Sequence, residues 1–251
     1  CERGCTVNIW HRRPEWKLNA LDPRRNASID RVTPLENPAV NGPWICNKGR
    51  DLAKVFERPR AEQALLKGKP AELADALARA RDLVAEAKRP VALVSSWGSN
   101  EELAAFKTML GTRVAAFVKH DSVPAPGEVI EDDVLIRPDK NPNRRAAEAL
   151  FGAAPIGFPE GTDLVLVWGE GFDFAALPRG AQVIFLNSYL QPENGHADVF
   201  VPISVQTERS GHYTNFEGTV SEFRACFGRK PGVAHAEEVF AALATRERVA
   251  A

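Results

Sequence analysis

Nowhere in its 251 residues does the chain reach the roughly 18 consecutive apolar residues that a membrane-crossing helix needs. No charged segment leads into an apolar one at its start, as a secretory leader would. These absences predict a cytosolic protein with no direct membrane span. Cysteine is scarce: four thiols are too few to staple a chain of this length with disulfides. In a reducing compartment, clustered thiols serve more often as metal ligands. Internal repeats and low-complexity tracts are missing, which excludes solenoids and biased linkers. No nucleic-acid-binding signature is legible, and the basic residues are interleaved with turn formers instead of massed on one helix. No nucleic-acid partner is expected.

What is present is unevenly placed. Apolar residues make up 44% of the chain, enough for a substantial core. Residues 1–60 carry 12 Lys or Arg against 7 Asp or Glu, and the remainder 20 against 26, so a basic front precedes an acidic body. Three of the four cysteines, Cys1, Cys5 and Cys46, fall in that front. Alternating apolar residues at Val7 and Ile9, and again at Ile29 and Val32, predict two short strands joined by a long loop. Turn residues at Glu36-Asn37-Pro38 and Asn41-Gly42-Pro43 then return the chain toward Cys46. Residues 1–60 therefore read as a small β-rich domain, and 51–70 as a basic, irregular linker ending in Lys67-Gly68-Lys69-Pro70.

From residue 61 to 251 the pattern is α/β. Leu73, Leu77, Ala80, Val84 and Ala87 share one face of a helix that Pro90 stops. Val91–Val94 reads as a buried strand, followed by a helix with a capping box of Ser99 and Glu102 and by a strand over 114–118. Strand, helix and strand in this order make the crossover unit of a doubly wound, mostly parallel sheet. A short helix is expected near 144–150, strands over 163–168, 182–187 and 198–203, a polar and aromatic loop over 206–220, and a closing helix over 235–246.

Thiolates are soft, charged donors, and a four-iron cluster takes four of them. Cys1-x3-Cys5, followed after 40 residues by Cys46, supplies three. The missing donor would sit at short spacing before Cys1. The bland alternative is a set of reduced surface or core cysteines.

The flanking residues bear on that choice. Glu2-Arg3-Gly4-Cys5, with a strand after it, and Asn41-Gly42-Pro43-Trp44-Ile45-Cys46-Asn47-Lys48-Gly49-Arg50 resemble the four-iron-cluster domain of the molybdopterin oxidoreductase superfamily, whose motif is C-x2-C-x3-C with a distant C-x-K-G. Within it, the resemblance is to the large iron-sulfur subunits of bacterial NADH:quinone oxidoreductases, complex I. Ile136-Arg137-Pro138-Asp139-Lys140-Asn141-Pro142-Asn143, Ala197–Pro202 and Glu208–Gly218 are similar to the same subunits. The resemblance implies a 4Fe-4S cluster on Cys1, Cys5, Cys46 and an upstream cysteine, one-electron relay, and partners among the other peripheral-arm subunits, one of which oxidises NADH. It also implies a place on the cytoplasmic side of the inner membrane, reached through the complex.

The chain departs from the family pattern in several places. The first motif cysteine and the ferredoxin-like region that precedes it in the family are not in this sequence. The chain is too short for the full molybdopterin fold, and no Cys, selenocysteine or Ser stands as a molybdenum ligand, so no molybdopterin and no catalytic residue are expected. Lys48 matches the superfamily lysine between cluster and pterin; without a pterin it reads as a surface cation near an anionic cluster. Two alternatives stay open: a structural subunit that has lost its cluster, and part of a formate dehydrogenase-like molybdopterin enzyme.

Other residues are weaker candidates. His11, His120, His196, His212 and His235 lack zinc-site spacing, although His11 lies near the thiols and imidazole can replace thiolate on iron. Cys226 reads as a buried thiol. Gly169-x-Gly171 lacks a third glycine, since Phe174 stands there, which weakens a nucleotide loop. Ser95, Ser96 and Ser99 suit either an anion or ordinary capping. Tyr213, Phe216 and Phe223 are expected to pack the 206–220 loop down, with Asn215 and Glu217 tying it by hydrogen bonds.

Overall fold

The structure is a computed structural model and describes residues 1–12, 28–118, 131–152 and 157–244. His120 and the loop expected between the first two strands lie outside the described residues. The chain opens with β1 (Val7–His11) paired antiparallel to β2 (Ile29–Pro34). Two short helices follow, α1 (Asn47–Arg50) and α2 (Leu52–Phe56). The apolar residues of this front, Ile29, Val32, Ile45 and Phe56, are buried together with Tyr189 and Val205 of the body.

The segment read as an irregular linker is ordered. After α2, β3 (Ala64–Leu66) and β4 (Lys69–Ala71) form a hairpin with Lys67 and Gly68 at its turn. Both turn residues have positive φ, 49° and 73°, which matches the twist of a two-residue hairpin. Strands of three residues are too short to show a period of two, so the sequence displayed only the turn.

The remaining elements are α3 (Leu73–Glu86), β5 (Pro90–Val94), α4 (Asn100–Leu110), β6 (Ala115–Val118), α5 (Arg144–Phe151), β7 (Leu164–Trp168), β8 (Gln182–Asn187), α6 (Pro192–His196), β9 (Val199–Pro202), β10 (Gly211–Thr214), β11 (Val220–Phe223) and α7 (Ala236–Leu243). Seven strands form one sheet in the order β4-β3-β9-β8-β7-β5-β6. The last five are parallel, and β3 and β4 add an antiparallel edge. This is the expected mostly parallel α/β sheet. Every residue of β5, β7 and β9 is buried, which explains their unbroken apolar runs.

The two faces are covered differently. Side chains of α3, α4, α5 and α7 pack on one, where Phe106, Trp168 and Phe240 meet at centroid distances of 4.6–5.2 Å. On the other, the β7–β8 connection is reduced to a 3₁₀ turn, Phe174–Ala176, and Phe172, Phe174 and Leu177 cover Val165, Val167 and Phe185. The helix expected before Pro90 forms as α3, but Ala76, Ala80 and Leu83 centre its buried stripe while Leu73 and Leu77 flank it. The 206–220 loop contains β10, which pairs with β11. Among the described residues no helix is long and apolar enough to cross a membrane.

Candidate metal centre

The loop from Cys1 to Cys5 is a tight turn closed by the Gly4 amide, which donates to the Cys1 carbonyl at 3.2 Å. Gly4 has a φ of +70°, and a Cβ there would lie 3.0 Å from Cβ of Asn215, so glycine suits this position twice over. Two distant segments grip the loop. The Glu2 amide donates to the Asp139 carbonyl at 3.1 Å, and the Glu2 carbonyl accepts from the Phe216 amide at 3.0 Å. Asn215 Nδ2 donates to the Arg3 carbonyl at 3.3 Å. Arg137 donates to the Glu2 carboxylate at 3.2 Å, and the Phe216 ring lies under both Arg137 and Arg3, 4.4 and 5.5 Å away. The stretches that carry the resemblance in the middle and late chain therefore converge on the first two thiols.

Cys46 arrives by another route. Asn41 is buried; its Oδ1 accepts from the Thr6 amide at 2.8 Å, and its Nδ2 donates to the carbonyls of Leu35, Gly42 and Trp44 at 3.0–3.2 Å. One side chain thus joins the residue after Cys5 to the turn that delivers Cys46. Cys46 caps α1, its Sγ accepting from the Gly49 amide at 3.4 Å. A Cβ at Gly49 would stand 2.5 Å from Ile45 Cγ1, so the glycine of Cys46-Asn47-Lys48-Gly49 lets the amide reach the sulfur.

The Cys5 and Cys46 thiols lie within electrostatic reach of each other, and Cys1 sits at the other end of the turn that carries Cys5. Burial pushes the Cys5 thiol above its ordinary pKa and Cys46 adds to the rise, while Arg3 opposes it. Lys140 falls below its ordinary value through burial and the neighbouring Lys48, with Cys46, Asp139 and Glu2 pulling the other way. Soft donors, an N–H···S contact and nearby cations fit a thiolate-held centre in kind. The thiols share a patch and do not form a finished cage: among the described residues no group of three or more His, Cys, Asp or Glu stands ready to hold a metal.

Lys48 lies on α1 beside that patch. His11 does not join it; its ring meets Phe227 edge-on at 4.8 Å at the far end of β1. Cys226 is half-buried, its amide donating to the Thr207 carbonyl at 2.8 Å. Sequence patterns missed Asn41, Arg137, Asp139 and Lys140. Asn41 showed only as a turn former, and the other three sit in a polar stretch whose single signal was its resemblance.

A second concavity lies at the carboxyl ends of the parallel strands, between β5 and β7, where the strand order reverses. It holds about 70 Å³, and the Arg58–Glu170 ion pair, at 2.6 Å, joins two residues of its lining. Gly169 here serves packing, since a Cβ would come within 2.6 Å of Ser95. Ser95 accepts from the Trp97 amide at 3.1 Å and Ser99 caps α4, so ordinary hydrogen bonds account for both. Tyr213 stacks on Phe223 at 4.6 Å and its hydroxyl donates to the Trp97 carbonyl at 3.0 Å, fastening the late loop as expected. No protein-family model and no curated protein matches this chain.

Proposed function

We propose that this chain is an electron-transfer and scaffold subunit of the peripheral arm of a complex I-like NADH:quinone oxidoreductase. The observation that carries this reading is the convergence of three sequence-distant segments, 1–5, 132–143 and 214–217, on a patch that also receives Cys46. Cys1, Cys5 and Cys46 would hold a 4Fe-4S cluster, with a fourth thiolate supplied from before Cys1. A bound cluster supplies reversible one-electron chemistry without bond making.

The chain's own residues do the rest. Gly49 gives an amide to the Cys46 sulfur, Asn41 fixes Cys46 relative to Cys5, and the Arg3–Phe216–Arg137 stack holds the Cys1–Cys5 turn. No pterin takes part. NADH oxidation belongs to a partner subunit, and the complex places this chain on the cytoplasmic side of the inner membrane.

Iron and acid-labile sulfide should be measured on the purified complex, with electron paramagnetic resonance of the reduced sample, for the native chain and for Cys46→Ala. A signal and about four irons lost in the variant support the relay. Equal iron in both leaves this chain a scaffold without a cluster.

A further inference from the structure

We propose that the solvent face of the β1–β2 hairpin, continued by Trp44, is a docking surface for the acidic face of a neighbouring protein subunit. This rests on the function proposed above only in taking the neighbour from the same complex.

An antiparallel sheet with one face on a core ordinarily turns polar residues to solvent on the other. Here Val7, Ile9, Ile29 and Val32 pack into the core of the front, while Trp10, Arg31, Thr33 and Leu35 share the opposite face. Trp10 is 49% exposed, Leu35 45% and Trp44 65%. Hydrogen bonds hold the three together. Trp10 Nε1 donates to Thr33 Oγ1 at 3.0 Å, which lays the indole across β2 toward the residue two before Leu35. Asn41 Nδ2 donates to the carbonyls of both Leu35 and Trp44, at 3.2 and 3.0 Å, so these two stand side by side. Single exposed apolar residues are ordinary on a protein surface, whereas two indoles and a leucine fixed on one face mark a contact site. The patch also borders the thiols: Trp44 stands two residues before Cys46, and the Leu35 amide donates at 3.0 Å to the carbonyl of Thr6, the residue after Cys5.

The charges select the occupant. The Arg31 guanidinium lies over the Trp10 ring, 4.6 Å from its centroid, so one cation belongs to the patch itself. Helix α1 packs against β2 and adds exposed Lys48 and Arg50. Among the described residues none of these three cations has an ion-pair partner, while most acids of the front are engaged: Asp30 lies 3.9 Å from Arg12, Asp51 2.8 Å from Lys54 and Glu2 3.2 Å from Arg137, and Glu57 accepts from the Ile29 amide at 2.8 Å. That leaves Glu36 against three cations among the described residues of the front. Carboxylates on a partner would pair with the cations while its apolar surface covers the indoles. A second copy meeting this one through the same face would instead set Arg31, Lys48 and Arg50 against their own kind.

The test is photo-crosslinking in the intact complex, with a benzophenone side chain in place of Leu35 and, as a control, in place of Leu150 on α5, the joined peptides being identified by mass spectrometry. Leu35 should join an Asp- and Glu-rich segment of a different subunit, and Leu150 should not. The yield from Leu35 should fall severalfold in Arg31→Glu, and likewise at about 1 M salt, where charges are screened within about 3 Å. Trp44→Ser should lower it too, with the thermal midpoint of the full chain kept near native. Crosslinks from Leu35 confined to this chain or to a second copy of it overturn the docking face, as does a yield indifferent to both salt and Arg31→Glu. A chain that carries its iron but gives no crosslink to another subunit overturns the docking face and leaves the relay standing. A chain that gives the expected crosslink but holds no iron supports the docking face and overturns the relay.

Discussion

Asn41 shows how much of the thiol patch hangs on a residue with no chemistry of its own. Its side chain accepts one backbone hydrogen bond and donates to three carbonyls while almost wholly buried. Replacing it with Ala removes these bonds and strands buried acceptors, so Asn41→Ala should lower unfolding free energy by about 2–4 kcal/mol in a denaturant titration. Asn41→Asp should not restore it, because a carboxylate cannot donate to the carbonyls of Leu35, Gly42 and Trp44. At this scale the sequence showed the thiols and the glycine after Cys46, whose spacing is local. It hid Asn41, since an Asn before Gly-Pro reads as a turn whatever its side chain does.

Among elements, legibility followed length and periodicity. Strands β5, β7 and β8 announced themselves as unbroken apolar runs, and α4 by its Ser99–Glu102 capping box, in which both hydrogen bonds form. The short β3–β4 hairpin did not, although its turn carries a visible defect: Lys67 holds a φ of 49°, which disfavours a side chain with a Cβ. Asn tolerates that conformation better, and Asn-Gly is the preferred pair for such a turn. Lys67→Asn should therefore stabilise the protein by roughly 0.5–1 kcal/mol, seen as a higher denaturant midpoint with an unchanged slope. An unmoved midpoint would show that the hairpin contributes little to the cooperative unit.

At the scale of the whole molecule, the front and the sheet are joined through buried charge as well as apolar packing. Arg60 forms a two-pronged pair with Glu208 at 2.7 and 3.0 Å, with both side chains at most 7% exposed, and donates to the Ser188 carbonyl at 3.0 Å. Arg60→Ala leaves the Glu208 carboxylate buried without this partner and should cost about 3–5 kcal/mol, measured by chemical denaturation. No reading of local pattern could pair residues 60 and 208. The convergence of segments on Cys1–Cys5 is of the same non-local kind, and the sequence offered only a resemblance to stand in for it.

Acid sensitivity is also a property of the whole molecule. Burial raises the pKa of Glu101, but hydrogen bonds from the His212 side chain and amide outweigh it and hold the carboxyl below its ordinary value. Glu238 is drawn down against a similar burial penalty by the His235 amide and Arg229, and Asp163 by the amides of Lys88 and Arg89. Each group binds its proton less readily folded than unfolded. Its contribution is therefore complete above the unfolded carboxyl pKa, about 3.9 for Asp and 4.3 for Glu, and is lost as pH falls through the lower folded value. All three side chains are largely in solvent's reach, which keeps each share modest. Stability between pH 7 and 5 should thus be nearly unaffected by these groups, and the thermal midpoint should drop progressively below about pH 4.3. The double variant Glu101→Gln, Glu238→Gln should start from a lower midpoint at neutral pH and lose less on acidification. A native-like acid slope in that variant would move the sensitivity to other carboxylates, with Asp163 the next to replace.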